Sequence, residues 1–259
     1  MGDIGYRNLK ALFIGVGEIG QQARDLVQPL FSDLIRQERT FPSLLWADLM
    51  AGSGPPMLCT AGQKSLLKTP SRCLRDTDLV YLCGTPESDD FPNARHTILK
   101  AMGKSFLFTF LVGGPGRILP PPTDQECVVR VQGPTPTEVI AHFVRDFTGW
   151  NIFPRSISCD WADIKRCLGG QEKFLAVYCS QSHDYEKGFT EFLTQNRFEL
   201  ARSSSILLHC GWNHPDVPLD ELFWPVEMLE GYVREDVPMV YLETTKDGLD
   251  ACFQAFLLL

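Results

Sequence analysis

The sequence predicts an α/β chain: a doubly wound N-terminal layer, one connecting helix, and a C-terminal layer of mixed α+β character. Three observations predict it. Apolar runs at 10–16, 77–84 and 105–112 are nearly continuous, as in strands buried on both faces of a parallel sheet. Helical periodicity alternates with those runs. Beyond residue 150 the glycine-rich turns stop and alternating strand patterns take over.

Taken in order, KALFIGV (10–16) is a strand that enters a glycine cluster. Residues 21–37 place Ala23, Leu26, Val27, Leu30 and Leu34 at helical spacing. Pro29 predicts a kink or break in that helix, because it removes a hydrogen bond and crowds the preceding turn. Residues 43–47 read as a second strand and 50–70 as an irregular connection. The strand 77–84 leads to a helix over 92–103, with proline near its start and glycine at its end. The strand 105–112 is followed by a coil rich in glycine and proline, 113–122, the clearest punctuation in the chain. A strand over 127–132 precedes the helix 136–149, for which Thr135 is the expected N-cap. The C-terminal part reads as helix 160–168, strand 173–180, helix 183–202, strand 205–210, helix 218–234 and strands 238–244 and 252–258. The domains expected from this are 1–134, a connecting helix 135–150, and 151–259.

Composition narrows the function classes. A net charge of -8 over 259 residues disfavours nucleic acid and anionic lipid as partners. Nine cysteines without a C-x-x-C spacing argue against a disulfide framework or a zinc ribbon. No run approaches the ~20 apolar residues of a membrane span, and MGDIGYRNLK lacks the pattern of a signal peptide. The expectation is a cytoplasmic protein with reduced thiols, most of them small core residues.

Gly15-Val16-Gly17-Glu18-Ile19-Gly20 matches G-x-G-x-x-G between a strand and a helix. In that position glycines let the backbone approach a phosphate, and free N–H groups at the helix start attract its charge. Asp48, at the end of the second strand, is placed to bond ribose hydroxyls. These residues leave two readings open: a nucleotide site, including an NAD(P)-dependent oxidoreductase with Gly84 at the end of a further strand, or a tight turn that packs helix on sheet with no ligand.

At Ser158-Cys159-Asp160-Trp161-Ala162-Asp163-Ile164-Lys165 the chain resembles the FtsZ/tubulin family, whose N-x-D-F-A-D-V loop follows a central helix. Ser205–Leu208 with Pro215–Glu221 resembles the family's strand, G-G-P-D-L-S-L-x-E turn and helix. Met239–Thr245 and Ala251–Phe256 resemble its last two strands. The resemblance sets Gly15–Ala23 on the first phosphate loop, with Gln22 in place of Asn, and Asp48 on an N-T-D segment. It implies GTP or GDP held by Gly15, Gly17, Gly20, Gln22, Asp48 and Gly84, and self-assembly or binding to another filament protein in a cytoskeletal or cell-division setting. It also implies that Asp160 and Asp163 act on the nucleotide of a neighbouring subunit. Against that, the two acids also suit a helix cap and a first-turn charge.

Where GTP-binding members carry G-G-G-T-G-T/S-G, this chain reads Gly84-Thr85-Pro86-Glu87-Ser88-Asp89-Asp90-Phe91-Pro92. The prolines lack N–H donors, and Glu18, Glu87, Asp89 and Asp90 repel a polyphosphate, costing from about 1 kcal/mol per pair in water to about 4 at an effective dielectric of 20. A divalent cation on Glu87, Asp89 and Asp90 would reverse that logic. The expectation is therefore weakened GTP binding, weak or absent hydrolysis and no retained cofactor, beside a GTP-dependent polymer with a rebuilt loop. His209, Cys210 and His214 fit no usual metal spacing. Trp212, Phe223, Trp224 and Tyr232, with Leu219 and Leu222, could leave an apolar patch for a partner.

Overall fold

The computed structural model describes residues 11–37, 44–50, 57–59, 74, 77–113, 118–149, 159–214, 216–245 and 251–259, with backbone alone for 31–37, 44–50 and 57–59. The chain divides into two compact units, Met1–Ile152 with Gly170–Glu172, and Phe153–Gly169 with Lys173–Leu259.

In the first unit the strands β1 (Ala11–Gly15), β2 (Leu44–Met50), β3 (Met57–Cys59), β4 (Leu79–Gly84), β5 (Phe106–Val112) and β6 (Glu126–Val131) lie in the order β3-β2-β1-β4-β5-β6. Every neighbouring pair is parallel except β2 with β3. The helices are α1 (Gly17–Gln37), α2 (Asp90–Ala101) and α3 (Pro136–Gly149). Alternation along the strands divides the apolar side chains between the two faces. Leu12, Ile14, Val80, Leu82 and Leu107 pack with Phe91, Ala94 and Ile98 of α2. The opposite face carries Phe13, Tyr81, Phe108 and Phe110, and Phe108 meets Phe143 and Phe147 of α3 edge-on at centroid distances of 5.8 and 5.1 Å. The Tyr81 hydroxyl reaches Thr148 Oγ1 at 2.7 Å within this aromatic layer, and α1 lies against α3. The doubly wound expectation therefore holds.

Two local features differ from the expectation. Of the kink or break expected at Pro29 the break does not occur, since α1 runs on to Gln37; Pro29 is exposed, while Ala23 and Val27 keep the buried stripe. The connection 50–70 contains β3, three residues paired antiparallel to β2, too short to show a period of its own.

The second unit holds α4 (Trp161–Leu168), β7 (Gln171–Ser180), α5 (Glu186–Gln195), α6 (Arg197–Arg202), β8 (Ile206–Trp212), α7 (Leu219–Glu230), β9 (Met239–Thr245) and β10 (Phe253–Leu258). β10 runs antiparallel between β7 and β8, and β9 is parallel to β8. One face of the sheet, with Leu208, Cys210, Trp212, Phe253 and Ala255, buries Phe189, Leu193, Leu200, Leu222 and Leu229 of the helices. The predicted helix 183–202 is two helices, parted at Asn196, whose side-chain amide donates to the Phe192 carbonyl at 2.8 Å and closes α5.

Candidate functional site

From β1 the chain moves outward to β2 and β3; from β4 it moves the other way. The crevice where an open α/β sheet takes its ligands thus opens past the ends of β1 and β4, where Gly15–Gly20 and Gly84–Asp90 lie. Gly17 has φ +67°, a conformation that favours glycine, and its Cα faces open space. Gly15 and Gly20 are glycines for a different reason. A Cβ on Gly15 would stand 2.3 Å from the Gly20 carbonyl oxygen, and one on Gly20 would stand 2.4 Å from that of Cys83. The Val16 N–H donates to the same Cys83 carbonyl at 2.9 Å. The glycine pattern thus seats the first turn of α1 directly on β1 and β4. Gln22 is exposed on α1. Asp48 lies opposite Gly15 in the backbone register of β2; the expected role of its side chain falls outside the described residues.

The second turn closes on itself. A Cβ on Gly84 would stand 2.6 Å from Phe91 Cδ2, and the Phe91 ring is fully buried. The Ser88 N–H donates to the Thr85 carbonyl at 3.2 Å and the Phe91 N–H to the Ser88 carbonyl at 3.1 Å. Pro86 is buried, and Pro86 and Pro92 have no N–H to offer. Glu18, Glu87, Asp89 and Asp90 are exposed, and Glu87 Oε2 comes to 3.9 Å from the Cβ position of Gly113 at the end of β5. Among the described residues no three His, Cys, Asp or Glu side chains converge to hold a metal ion, so the cation on Glu87, Asp89 and Asp90 is not assembled. His209 instead bonds Thr244 Oγ1 at 3.0 Å, and strand alternation sends Cys210 to the other face of β8.

Behind this turn lies a feature that sequence reasoning missed. Arg95 of α2 donates through Nε and Nη2 to the two carboxylate oxygens of Glu126 at 2.7 and 2.6 Å. Thr109 of β5 donates to Glu126 Oε1 at 2.6 Å. Arg95 and Thr109 are buried and Glu126 is wholly so. The signal available was a Glu directly before the apolar run Cys127-Val128-Val129.

In the second unit Asp160 is the N-cap of α4, its Oδ1 accepting from the Ala162 N–H at 3.0 Å. Asp163 accepts from Arg166 Nη1 at 2.7 Å on the exposed side of the same helix. Cys83 in β4 and Cys210 in β8 are packed: burial pushes the Cys83 thiol up to about 12, and burial followed by the Glu243 carboxylate raises Cys210. Of the aromatic group, Trp212 and Leu222 are buried, whereas Leu219 and Phe223, one turn apart on α7, are 65% and 39% exposed. Beside them Trp224, Tyr185, Asp184, Glu186, Asp220 and Glu221 line an open groove of about 810 Å³, across which Tyr185 donates to Glu221. Among the described residues no helix is long and apolar enough to cross a membrane.

No family model matches the sequence, and no curated protein matches it. Solved structures do match the fold. An FtsZ from M. jannaschii, solved as an empty dimer, superposes with a TM-score of 0.67 at 13% identity, over 98% of this chain and 89% of that one. CetZ from Methanosaeta thermophila gives 0.62 at 11%, over 96% and 86%. TubZ of Bacillus thuringiensis serovar israelensis, in a GTPγS-form protofilament, gives 0.55 at 9%, over 97% and 86%. At such identities the likeness is one of fold, and the chain carries the FtsZ/tubulin-like fold.

Proposed function

We propose that this chain, which carries the FtsZ/tubulin-like fold, is a divergent cytoplasmic cytoskeletal or assembly-regulating protein. It acts by binding copies of itself or another filament protein, with GTP binding weakened and hydrolysis weak or absent. The observation that carries the reading is the turn 84–91. Its Ser88 and Phe91 amides are spent within the turn and Phe91 fills the space over Gly84, so they are not presented to a phosphate. Exposed carboxylates stand on both turns. These residues do not fit a polyphosphate cradled between the two turns, and no chemical step is drawn through one. On this reading Gly15, Gly20 and Gly84 serve packing, and Asp160 and Asp163 persist as the cap and first-turn charge of α4. Assembly draws support from the dimer and protofilament forms of the structural neighbours, and Leu219 and Phe223 offer this chain an exposed apolar contact.

Purified protein incubated with radiolabelled GTP and magnesium, then pelleted, tests the proposal. The expected result is assembly that does not depend on nucleotide, with little GTP retained. Stoichiometric GTP binding, with steady phosphate release that is lost in Asp160→Ala and Asp163→Ala, would overturn it. A second reading, a GTP-dependent polymer with a rebuilt loop, draws on the exposed Gly17–Glu18 turn and predicts pelleting only when nucleotide is present.

A further inference from the structure

We infer that the open groove between the start of α5 and α7 receives helix α6 of a second copy of this chain, head to tail, a contact that rests on the assembly reading and names its two surfaces. Tyr185 and Trp224, with ring centroids 5.8 Å apart, give the groove an aromatic wall. Five carboxylates, of Asp184, Glu186, Asp220, Glu221 and Glu227, line the rest together with His183. Among the described residues no lysine or arginine lines it, so the groove has a negative potential and suits a cation. An arginine uses both parts of such a site, because its planar guanidinium stacks on a ring while its edge donates to carboxylates.

Helix α6 presents the complement. Leu200 and Ser203 are buried, which turns Arg197, Phe198, Ala201 and Arg202 outward on the other side of the helix, with Glu199 on its flank. Phe198 is 62% exposed, and the Arg202 guanidinium lies over its ring at 4.9 Å. The stacked pair holds an aromatic ring and a cation together at the surface, two residue types enriched in interfaces.

The groove stands where α5 begins and α6 follows where α5 ends, after ten residues or about 15 Å of helix. No residue of α6 lines the groove of its own chain, so a second copy supplies it. One patch meeting a different patch is a heterologous contact, which repeats along a filament unless the rotation closes a ring. Charge also sets the direction of addition, because groove against groove repels and groove against α6 attracts. Leu219 and Phe223, exposed beside the groove, give Phe198 an apolar surface to meet.

Sedimentation velocity at low and high salt tests the contact on the full chain, on Arg197→Glu/Arg202→Glu, on Asp184→Lys/Glu227→Lys and on an equal mixture of the two variants, with thermal unfolding as the check of each fold. All four positions are exposed. The expected result is wild-type assembly beyond the dimer that salt weakens, at least tenfold weaker in each variant alone and recovered in the mixture, where every reversed surface finds its opposite. A variant that merely misfolds is not rescued by mixing, and Phe198→Asp, expected to weaken assembly at least tenfold, probes the same surface of α6 independently. Assembly that none of these variants weakens overturns the contact and leaves the assembly reading standing, as does weakening that mixing does not reverse or assembly that stops at two copies. A wild-type chain that stays monomeric overturns both the contact and the self-assembly on which it rests; if that monomer binds an arginine-rich peptide, the groove serves a different basic partner.

Discussion

Gly20 separates packing from ligand binding at a single atom. A methyl group there meets the Cys83 carbonyl oxygen at 2.4 Å, so Gly20→Ala should destabilise the fold by about 3 kcal/mol, as overpacking against backbone does. Thermal unfolding with and without GTP checks this, and a loss equal in both supports a packing glycine. Glu126→Gln removes the charge opposite a buried guanidinium, and breaking such a pair costs about 3–5 kcal/mol. In urea unfolding Arg95→Met/Glu126→Leu should recover much of that loss, because no lone charge is left buried. Cys83 makes a pH prediction. Its thiol pKa rises by burial from 9.0 to about 12 in the folded chain. Its contribution is therefore complete below pH 9 and is lost as pH rises toward 12, at about 1.4 kcal/mol per pH unit, because the unfolded chain releases the proton first. Cys83→Ala should flatten the slope of unfolding free energy against pH in that window.

At the scale of the element, Asp160 and α4 tell a cap from a catalytic group. Losing the cap should cost about 1 kcal/mol in Asp160→Ala, with Asp160→Ser restoring most of it; stability measured in urea checks the pair. A catalytic role would not be rescued by serine. Elements with their own periodicity were legible in the sequence: the strands 11–15, 79–84 and 106–112 and the helix 136–149 all lie within a residue or two of their expected bounds. Those that depend on neighbours were not. β3 exists because β2 offers it an edge, α1 passes through Pro29 because that position faces water, and α5 ends at Asn196 through a side-chain bond.

At the scale of the whole molecule, the net charge of -8 disfavours polyanionic partners, and some of it stands at Glu18, Glu87, Asp89 and Asp90 around the crevice. On the proposed reading the chain associates through apolar contact, for which Leu219 and Phe223 are exposed on α7. Leu219→Glu/Phe223→Ser should abolish self-association in sedimentation velocity while leaving the unfolding temperature unchanged, because both side chains are exposed and Leu222 and Leu229 carry the packing of α7.

The sequence by itself determined the class and order of the elements, the two turns at the ends of β1 and β4, and the acids on them, because apolar period, glycine and charge are local properties. Only the tertiary structure decided what those turns do. Phe91 against Gly84, Gly20 on the Cys83 carbonyl and Arg95 on Glu126 are contacts between separate elements. Each follows from strand order and register, which bring distant residues within a few ångströms and which no local pattern encodes.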